Sequence, residues 1–135
     1  FPYTTLFRSY MTYILIVEDE VFLSNIMRVR LEDEGYRVKL ASDGSEALKM
    51  LDDGLPDLIL LDLIMPNMNG FDFLKEIKAN DKLKNIPIIV TTNLNQPEDI
   101  EKVQKMGITK YIVKSDVSMD QLEDIVTEEV KKSTK

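Results

Sequence analysis

Two absences from this 135-residue sequence bear most on its chemistry: it has no cysteine and no histidine. Without cysteine there is neither a disulfide framework nor a thiolate metal ligand. Without histidine the commonest general base and the commonest transition-metal ligand are gone, and no phosphohistidine can form within the chain. Long apolar runs are lacking too. Runs such as Leu58–Leu61 fall far short of the roughly 20 residues that a membrane-spanning helix needs, so no membrane insertion is expected. No basic segment followed by a long apolar one opens the chain, so no secretory signal is legible and the cytoplasm is the expected location. Basic residues are outnumbered, 17 Lys and Arg against 24 Asp and Glu, for a formal net charge of −7. That balance argues against direct binding of nucleic acid.

What is present suits one packed domain: 44% hydrophobic and 30% charged residues give a composition that folds rather than stays disordered. The opening string FPYTTLFRS (Phe1–Ser9) looks like the translation of a short-read sequencing adapter. Residues 1–10 are therefore set aside as a non-native leader, with the natural start expected at Met11 and the domain over 11–135.

Apolar runs then alternate with helical patterns. Tyr13–Val17 reads as a buried strand, and Leu23, Ile26, Met27 and Leu31 follow at the spacing of an amphipathic helix that Gly35 ends. Arg37–Ala41 alternates polar and apolar residues, as a more exposed edge strand does. Asp43-Gly44 marks a turn before a second helix with Ala47, Leu48 and Leu51 inward, closed by Gly54 and Pro56. Leu58–Leu61 is a third strand, and a breaker-rich loop from Met65 to Gly70 leads to a helix marked by Phe71, Leu74 and Ile77. A fourth strand is expected over Ile86–Val90, with Pro87 near its start where the missing N–H is tolerated. Pro97 opens a fourth helix with Ile100, Val103 and Met106 inward, and Tyr111–Val113 is the fifth strand. Ser118 and Gln121 form a capping box for a last helix with Leu122, Ile125, Val126 and Val130 on one side. Its acids (Asp120, Glu123, Asp124, Glu128, Glu129) read as a solvated face. Five strand–helix units with continuously apolar strands imply an α/β fold with a parallel sheet between two layers of helices.

In such a sheet ligands bind beyond the carboxyl ends of the strands. Glu18 and Asp19 follow the first strand, Asp62 the third, Thr91 and Thr92 the fourth, and Lys114 the fifth. Three carboxylates, a hydroxyl and an ammonium can therefore converge. Two like charges ~4 Å apart cost about 4 kcal/mol at an effective dielectric near 20, which a hard divalent cation relieves. An all-oxygen donor set favours Mg²⁺ or Mn²⁺ over zinc or copper. Lys114 suits a phosphate oxygen, and an aspartyl carboxylate can accept a phosphoryl group. Asp62 alone could be a turn aspartate, Glu20 is expected to sit in the acidic first turn of a helix, and Thr91 competes with Thr92 for the hydroxyl role.

Four segments, ILIVEDE (Ile14–Glu20), LLDLIMPNMNGFDFL (Leu60–Leu74), IPIIVTT (Ile86–Thr92) and KYIVKSD (Lys110–Asp116), together resemble the receiver domains of two-component response regulators, over Tyr13 to about Val130. The resemblance implies a doubly wound (βα)5 flavodoxin-like three-layer sandwich with strand order 2-1-3-4-5. It implies that Asp62 is the phosphoacceptor, that Asp19 binds Mg²⁺ (or Mn²⁺) directly and Glu18 through water, and that Asp62 and the backbone carbonyl of Ile64 are further metal ligands. Thr92 looks like the switch hydroxyl, Lys114 like the ammonium that pairs with the phosphoryl group, and Tyr111 like the aromatic switch. Where the family often has a cis-proline after the lysine this chain has Ser115, and Asn93 replaces the usual small residue after the threonine. Ile64 and Leu94 fall where the family lines the path of hydrolytic water; both are apolar, which implies slow self-dephosphorylation.

The expected partners are a sensor histidine kinase or a histidine phosphotransfer protein as donor and an unidentified downstream protein as target, with the chain itself a monomer or weak dimer. It is not expected to act as an enzyme beyond phosphoryl acceptance and its slow reversal. Three other readings stand beside this one. A phosphohydrolase would want a second acid at position 64, and a nucleotide binder would want a Gly-rich loop after the first strand. A phosphorylation-independent interaction module would share the fold.

Overall fold

A computed structural model of the chain describes residues 12–133; the leader assigned to residues 1–10 lies outside them. Five strands, β1 (Tyr13–Val17), β2 (Arg37–Ala41), β3 (Leu58–Leu61), β4 (Ile88–Thr92) and β5 (Lys110–Val113), alternate with five helices. These are α1 (Val21–Asp33), α2 (Gly44–Leu51), α3 (Gly70–Lys78), α4 (Pro97–Gln104) and α5 (Met119–Ser133). The strands form one parallel sheet in the order β2-β1-β3-β4-β5.

The sheet divides the core by the two-residue period of its strands. Leu15, Val17, Ile59, Leu61, Ile88 and Val90 face α2, α3 and α4, where Ala47, Leu51, Phe73, Leu74, Ile77 and Val103 meet them. Ile14, Ile16, Leu58, Leu60, Ile89 and Ile112 face α1 and α5, against Met27, Leu31, Leu122, Val126 and Val130. Strands buried on both faces tend to read as continuous apolar runs, as β1 and β3 do. The edge strand β2 keeps the expected alternation, with Arg37 and Lys39 exposed. Asp43 caps α2 by accepting a hydrogen bond from Glu46 N at 2.8 Å, and Asn69 caps α3 by accepting from Asp72 N at 3.0 Å. The reciprocal box between Ser118 and Gln121 forms as expected, at 2.8 and 3.1 Å.

The structure corrects several details. β4 is displaced by two residues from the expected Ile86–Val90. Pro87 has no N–H and serves the ladder only as an acceptor, from Ile59 N at 2.9 Å. At the other end Thr91 and Thr92 pair with Ile112 and Val113, so both threonines lie within the strand rather than after it. On α1 the buried positions are Ser24, Met27 and Leu31, while Leu23 and Ile26 flank them half-buried. Glu20 is the residue before α1 rather than in its first turn. The last helix does not present all its acids to solvent. Arg30 of α1 reaches Asp120 at 2.6 Å and Glu123 at 3.1 Å, and Glu129 is buried beside Val126 and Val130. Packing of α1 and α5 on one face of the sheet half-buries Glu123 and buries Glu129, while Asp120, Asp124 and Glu128 stay exposed as expected.

One contact fixes the loop that follows β3. Gly70 N donates to Leu63 O at 2.9 Å, and a Cβ on Gly70 would stand 2.5 Å from Leu63 Cα and 2.6 Å from Asp62 O. Both are backbone atoms and cannot step aside cheaply. Gly70→Ala is expected to lose about 1–3 kcal/mol in urea unfolding; an unchanged midpoint would show that the loop has room to move.

Candidate functional site

The register of the sheet brings the site together. Val17 pairs with Leu61, so the next residues, Glu18 and Asp62, emerge side by side at the carboxyl end. Their backbones continue the ladder: Asp62 N donates to Val17 O at 2.9 Å and Glu18 N to Ala41 O at 3.0 Å. Lys114 follows β5, two strands from Asp62 with about 4.8 Å per strand, a gap its long side chain spans. Lys114 Nζ donates to both carboxylate oxygens of Glu18, at 3.0 and 2.9 Å, and to Asp62 Oδ2 at 3.1 Å. Asp62 Oδ1 accepts from Ile64 N at 3.2 Å. Glu18 and Asp62 are 7% and 5% exposed, whereas Asp19 and Ile64 are exposed at the mouth.

Three carboxylates against one ammonium leave a formal excess of two negative charges in a largely buried place. The Glu18 carboxyl is accordingly pushed up to about 7, first by burial, then by its contact with Asp62, against the pull of Lys114. Burial works to lower the Lys114 pKa, but the hydrogen bonds and charges of Glu18 and Asp62 outweigh it and raise it.

Glu18, Asp19 and Asp62 each offer a carboxylate oxygen, and these oxygens lie within 4.8 Å of one another. Such an oxygen-only cluster, with a carboxyl already strained toward protonation, fits a hard divalent cation. A cation there would favour the charged form of Glu18 against burial and the neighbouring Asp62.

Thr92 is fully buried at the end of β4. Its hydroxyl accepts from Leu94 N at 3.3 Å, and the Tyr111 hydroxyl donates to Leu94 O at 2.7 Å. Thr92 and Tyr111 are thus joined through one backbone residue, a link the sequence did not reveal, and neither is hydrogen-bonded to Asp62. Burial, then the charges of Asp99 and Asp62, raise the Tyr111 pKa. Thr91 faces the α1/α5 side, at a cavity of about 370 Å³ lined also by Leu23, Met27, Val117 and Leu122. No peptide bond among the described residues is cis, so Lys114–Ser115 is trans. Lys114–Asp116 forms a 3₁₀ turn, and Asn93 Oδ1 accepts from Ser115 N at 3.2 Å. Asn93 therefore ties the end of β4 to the turn that carries Lys114.

The family model described as the response regulator receiver domain matches residues 14–127, and the chain belongs to that family. It is 39% identical over 102 residues, 75% of its length, to the CAI-1 autoinducer sensor kinase/phosphatase CqsS of Vibrio cholerae, and covers 15% of that protein. Among solved structures it is similar to the chemotaxis protein CheY4 of Vibrio cholerae, with a TM-score of 0.79 and 30% identity, covering 87% of this chain and 98% of that one. It is also similar to response regulator protein TrrA of Thermotoga maritima in complex with Mg²⁺-BeF, with a TM-score of 0.73, 32% identity and coverage of 87% and 98%. The chain spans between 15% and 45% of the length of the first curated relatives it matches. The fold class and strand order expected from the sequence are those observed. No helix among the described residues is long and apolar enough to cross a membrane.

The raised Glu18 carboxyl has two measurable consequences. A cation must displace its proton, so the Mn²⁺ association constant measured by calorimetry should fall with decreasing pH below about 7. In EDTA the sign is that of a raised carboxyl. Its contribution to stability is complete below the ordinary value of 4.5 and is lost as the pH rises through about 7. Relative to Glu18→Gln, the wild-type midpoint should therefore drop between pH 5 and pH 8. Parallel pH profiles for the two proteins would contradict the assignment.

Proposed function

We propose that this domain accepts a phosphoryl group on Asp62 and signals through the conformational change that follows. The observation that carries the reading is Lys114 bridging Glu18 and Asp62 at the carboxyl ends of β1, β3 and β5 in a receiver-domain fold. A bound Mg²⁺ (or Mn²⁺), held by Asp19 and Asp62, by Glu18 through water and by the Ile64 carbonyl, would offset phosphoryl-oxygen charge during transfer. The donor is a phosphohistidine on a sensor histidine kinase or a phosphotransfer protein. An Asp62 carboxylate oxygen attacks phosphorus, the P–N bond to the donor imidazole breaks, and the electron pair stays with that nitrogen. Lys114 leaves Glu18 for a phosphoryl oxygen, and the Thr92 hydroxyl turns from Leu94 N to donate to another.

That turn frees the Leu94 backbone, which is also where the Tyr111 hydroxyl is held, so the change at Asp62 reaches the β5 edge and α4. A differential stabilisation of ~1.4 kcal/mol would shift the two-state population tenfold. Output is contact with a downstream protein. Exposed apolar side chains beside the acidic pocket, Phe22 (77%), Val21 (64%) and Ile64 (54%), suit docking of a donor protein rather than a free small molecule. A cytoplasmic location and a monomer or weak dimer fit this reading.

With Mg²⁺ and acetyl phosphate, intact mass should show one added phosphoryl group, lost in Asp62→Asn and in EDTA. No adduct from acetyl phosphate or from a histidine kinase, together with no Mg²⁺ binding, would favour a phosphorylation-independent interaction module. The adduct should be long-lived, because the side chains of Ile64 and the half-buried Leu94 offer no polar atom to orient an attacking water. Ile64→Asn with Leu94→Glu should shorten its half-life on the order of tenfold, ~1.4 kcal/mol of barrier. An unchanged half-life would place the control of hydrolysis elsewhere.

A further inference from the structure

We infer that Asp43 is a positioning residue for the phosphoacceptor site, acting through Asn67; the inference rests on the proposed role of the Asp62 site. Asp43 stands at the start of α2, in the loop after β2, and its side chain accepts two hydrogen bonds of different kinds. Its Oδ1 caps α2 by accepting from Glu46 N at 2.8 Å, and its Oδ2 accepts from Asn67 Nδ2 at 2.9 Å. Only the first belongs to its own helix. The second crosses to the loop after β3.

Asn67 is the only described non-glycine residue with a positive φ, 64°. Asparagine tolerates that conformation better than most residues, and a hydrogen bond from its short side chain helps to hold it there. Asp43 is that partner. One residue on, Gly44 N donates to Met68 O at 3.1 Å, and a Cβ on Gly44 would stand 2.8 Å from Met68 Cγ and 3.0 Å from Met68 O. The two loops are therefore in contact at consecutive residues, 43 with 67 and 44 with 68.

The β3–α3 loop is short and pinned at both ends. Gly70 N bonds Leu63 O, and Ile64 N bonds Asp62 Oδ1. Between those anchors, the Asp43–Asn67 bond is the side-chain tie on the turn at 67, beside the Gly44–Met68 backbone bond and three residues from Ile64, whose carbonyl is a proposed metal donor. An exposed hydrogen bond contributes little to global stability. Its effect here is on where the Ile64 carbonyl and the Asp62 carboxylate stand, and misplacement by a fraction of an ångström matters more for metal binding and transfer than for folding.

The test separates the cap from the cross-loop bond. Asp43→Ser keeps a good cap residue but has no second oxygen for Asn67. Asn67→Ala removes the donor from the other side. Both variants and their double are compared with wild type in three measurements: Mn²⁺ affinity by calorimetry, the rate of acetyl-phosphate labelling, and the thermal midpoint in EDTA. Asp43→Ser is expected to weaken Mn²⁺ binding and slow labelling by several-fold to tenfold while its midpoint stays close to that of wild type. The double variant should be no worse than the poorer single variant, the signature of one shared contact. Wild-type Mn²⁺ affinity in Asp43→Ser, additive losses in the double, or losses that only track the midpoint would overturn the inference. If wild-type protein binds Mn²⁺ but takes no phosphoryl group, the proposed function fails while the affinity comparison still decides the role of Asp43.

Discussion

Everything at the carboxyl edge of the sheet turns on Lys114. Its ammonium meets both oxygens of Glu18 and one of Asp62 at about hydrogen-bond length, and nothing else among the described side chains at the site offsets their charge. The pull of Lys114 does not offset burial and the neighbouring Asp62 at Glu18, whose carboxyl is raised to about 7. The arrangement is poised to take up positive charge: a proton below about pH 7 or a divalent cation above it. The same imbalance prepares the proposed chemistry, because a Glu18 carboxyl raised to about 7 can take up a proton when the ammonium moves to a phosphoryl oxygen, so that no unpaired charge is left buried.

The fold supplies this edge by simple means. Parallel register sets Glu18 and Asp62 level, and the position of β4 between β3 and β5 sets the distance that Lys114 must span. Apolar side chains on both faces of β1 and β3 make the sheet rigid enough to hold the carboxylates together against their repulsion. The side-chain hydroxyls of Thr92 and Tyr111 both converge on the backbone of Leu94, so a displacement of one is felt by the other. Asn93 and Asp43 add cross-loop ties, to the Lys114 turn and to Asn67 respectively. The pocket is thus braced from three loops while its mouth, with Ile64 and Asp19, stays open.

Much of this was legible in the residues. Continuous apolar runs located β1 and β3, alternation located β2, and the acids and lysine placed just after strands marked the site. The displacement of β4 was hidden because threonine ends an apolar run on paper yet pairs well in a strand, and because Pro87 lies inside the run but cannot donate. Burial of Glu129 was illegible since it depends on which residues of neighbouring elements flank that turn of α5. The convergence of Lys114 on the acids was legible, but not that it bonds both oxygens of Glu18 as well as Asp62, nor that the Asp43 turn and the Asn67 turn are hydrogen-bonded across 24 residues. Asp43 and Asn67 each carry an ordinary turn signal; only their juxtaposition makes them part of the site.

The central claim is that Lys114 is a movable charge, held by Glu18 and Asp62 until cation and phosphoryl charge redistribute the site. A crystal structure of this chain with Mg²⁺ and beryllofluoride tests it most directly. The account predicts an adduct on Asp62, with Mg²⁺ touching Asp19 and Asp62 and Lys114 Nζ moved from Glu18 to a fluorine. An adduct with Lys114 still bonded to both oxygens of Glu18, or Mg²⁺ bound away from Asp19 and Asp62, would contradict it.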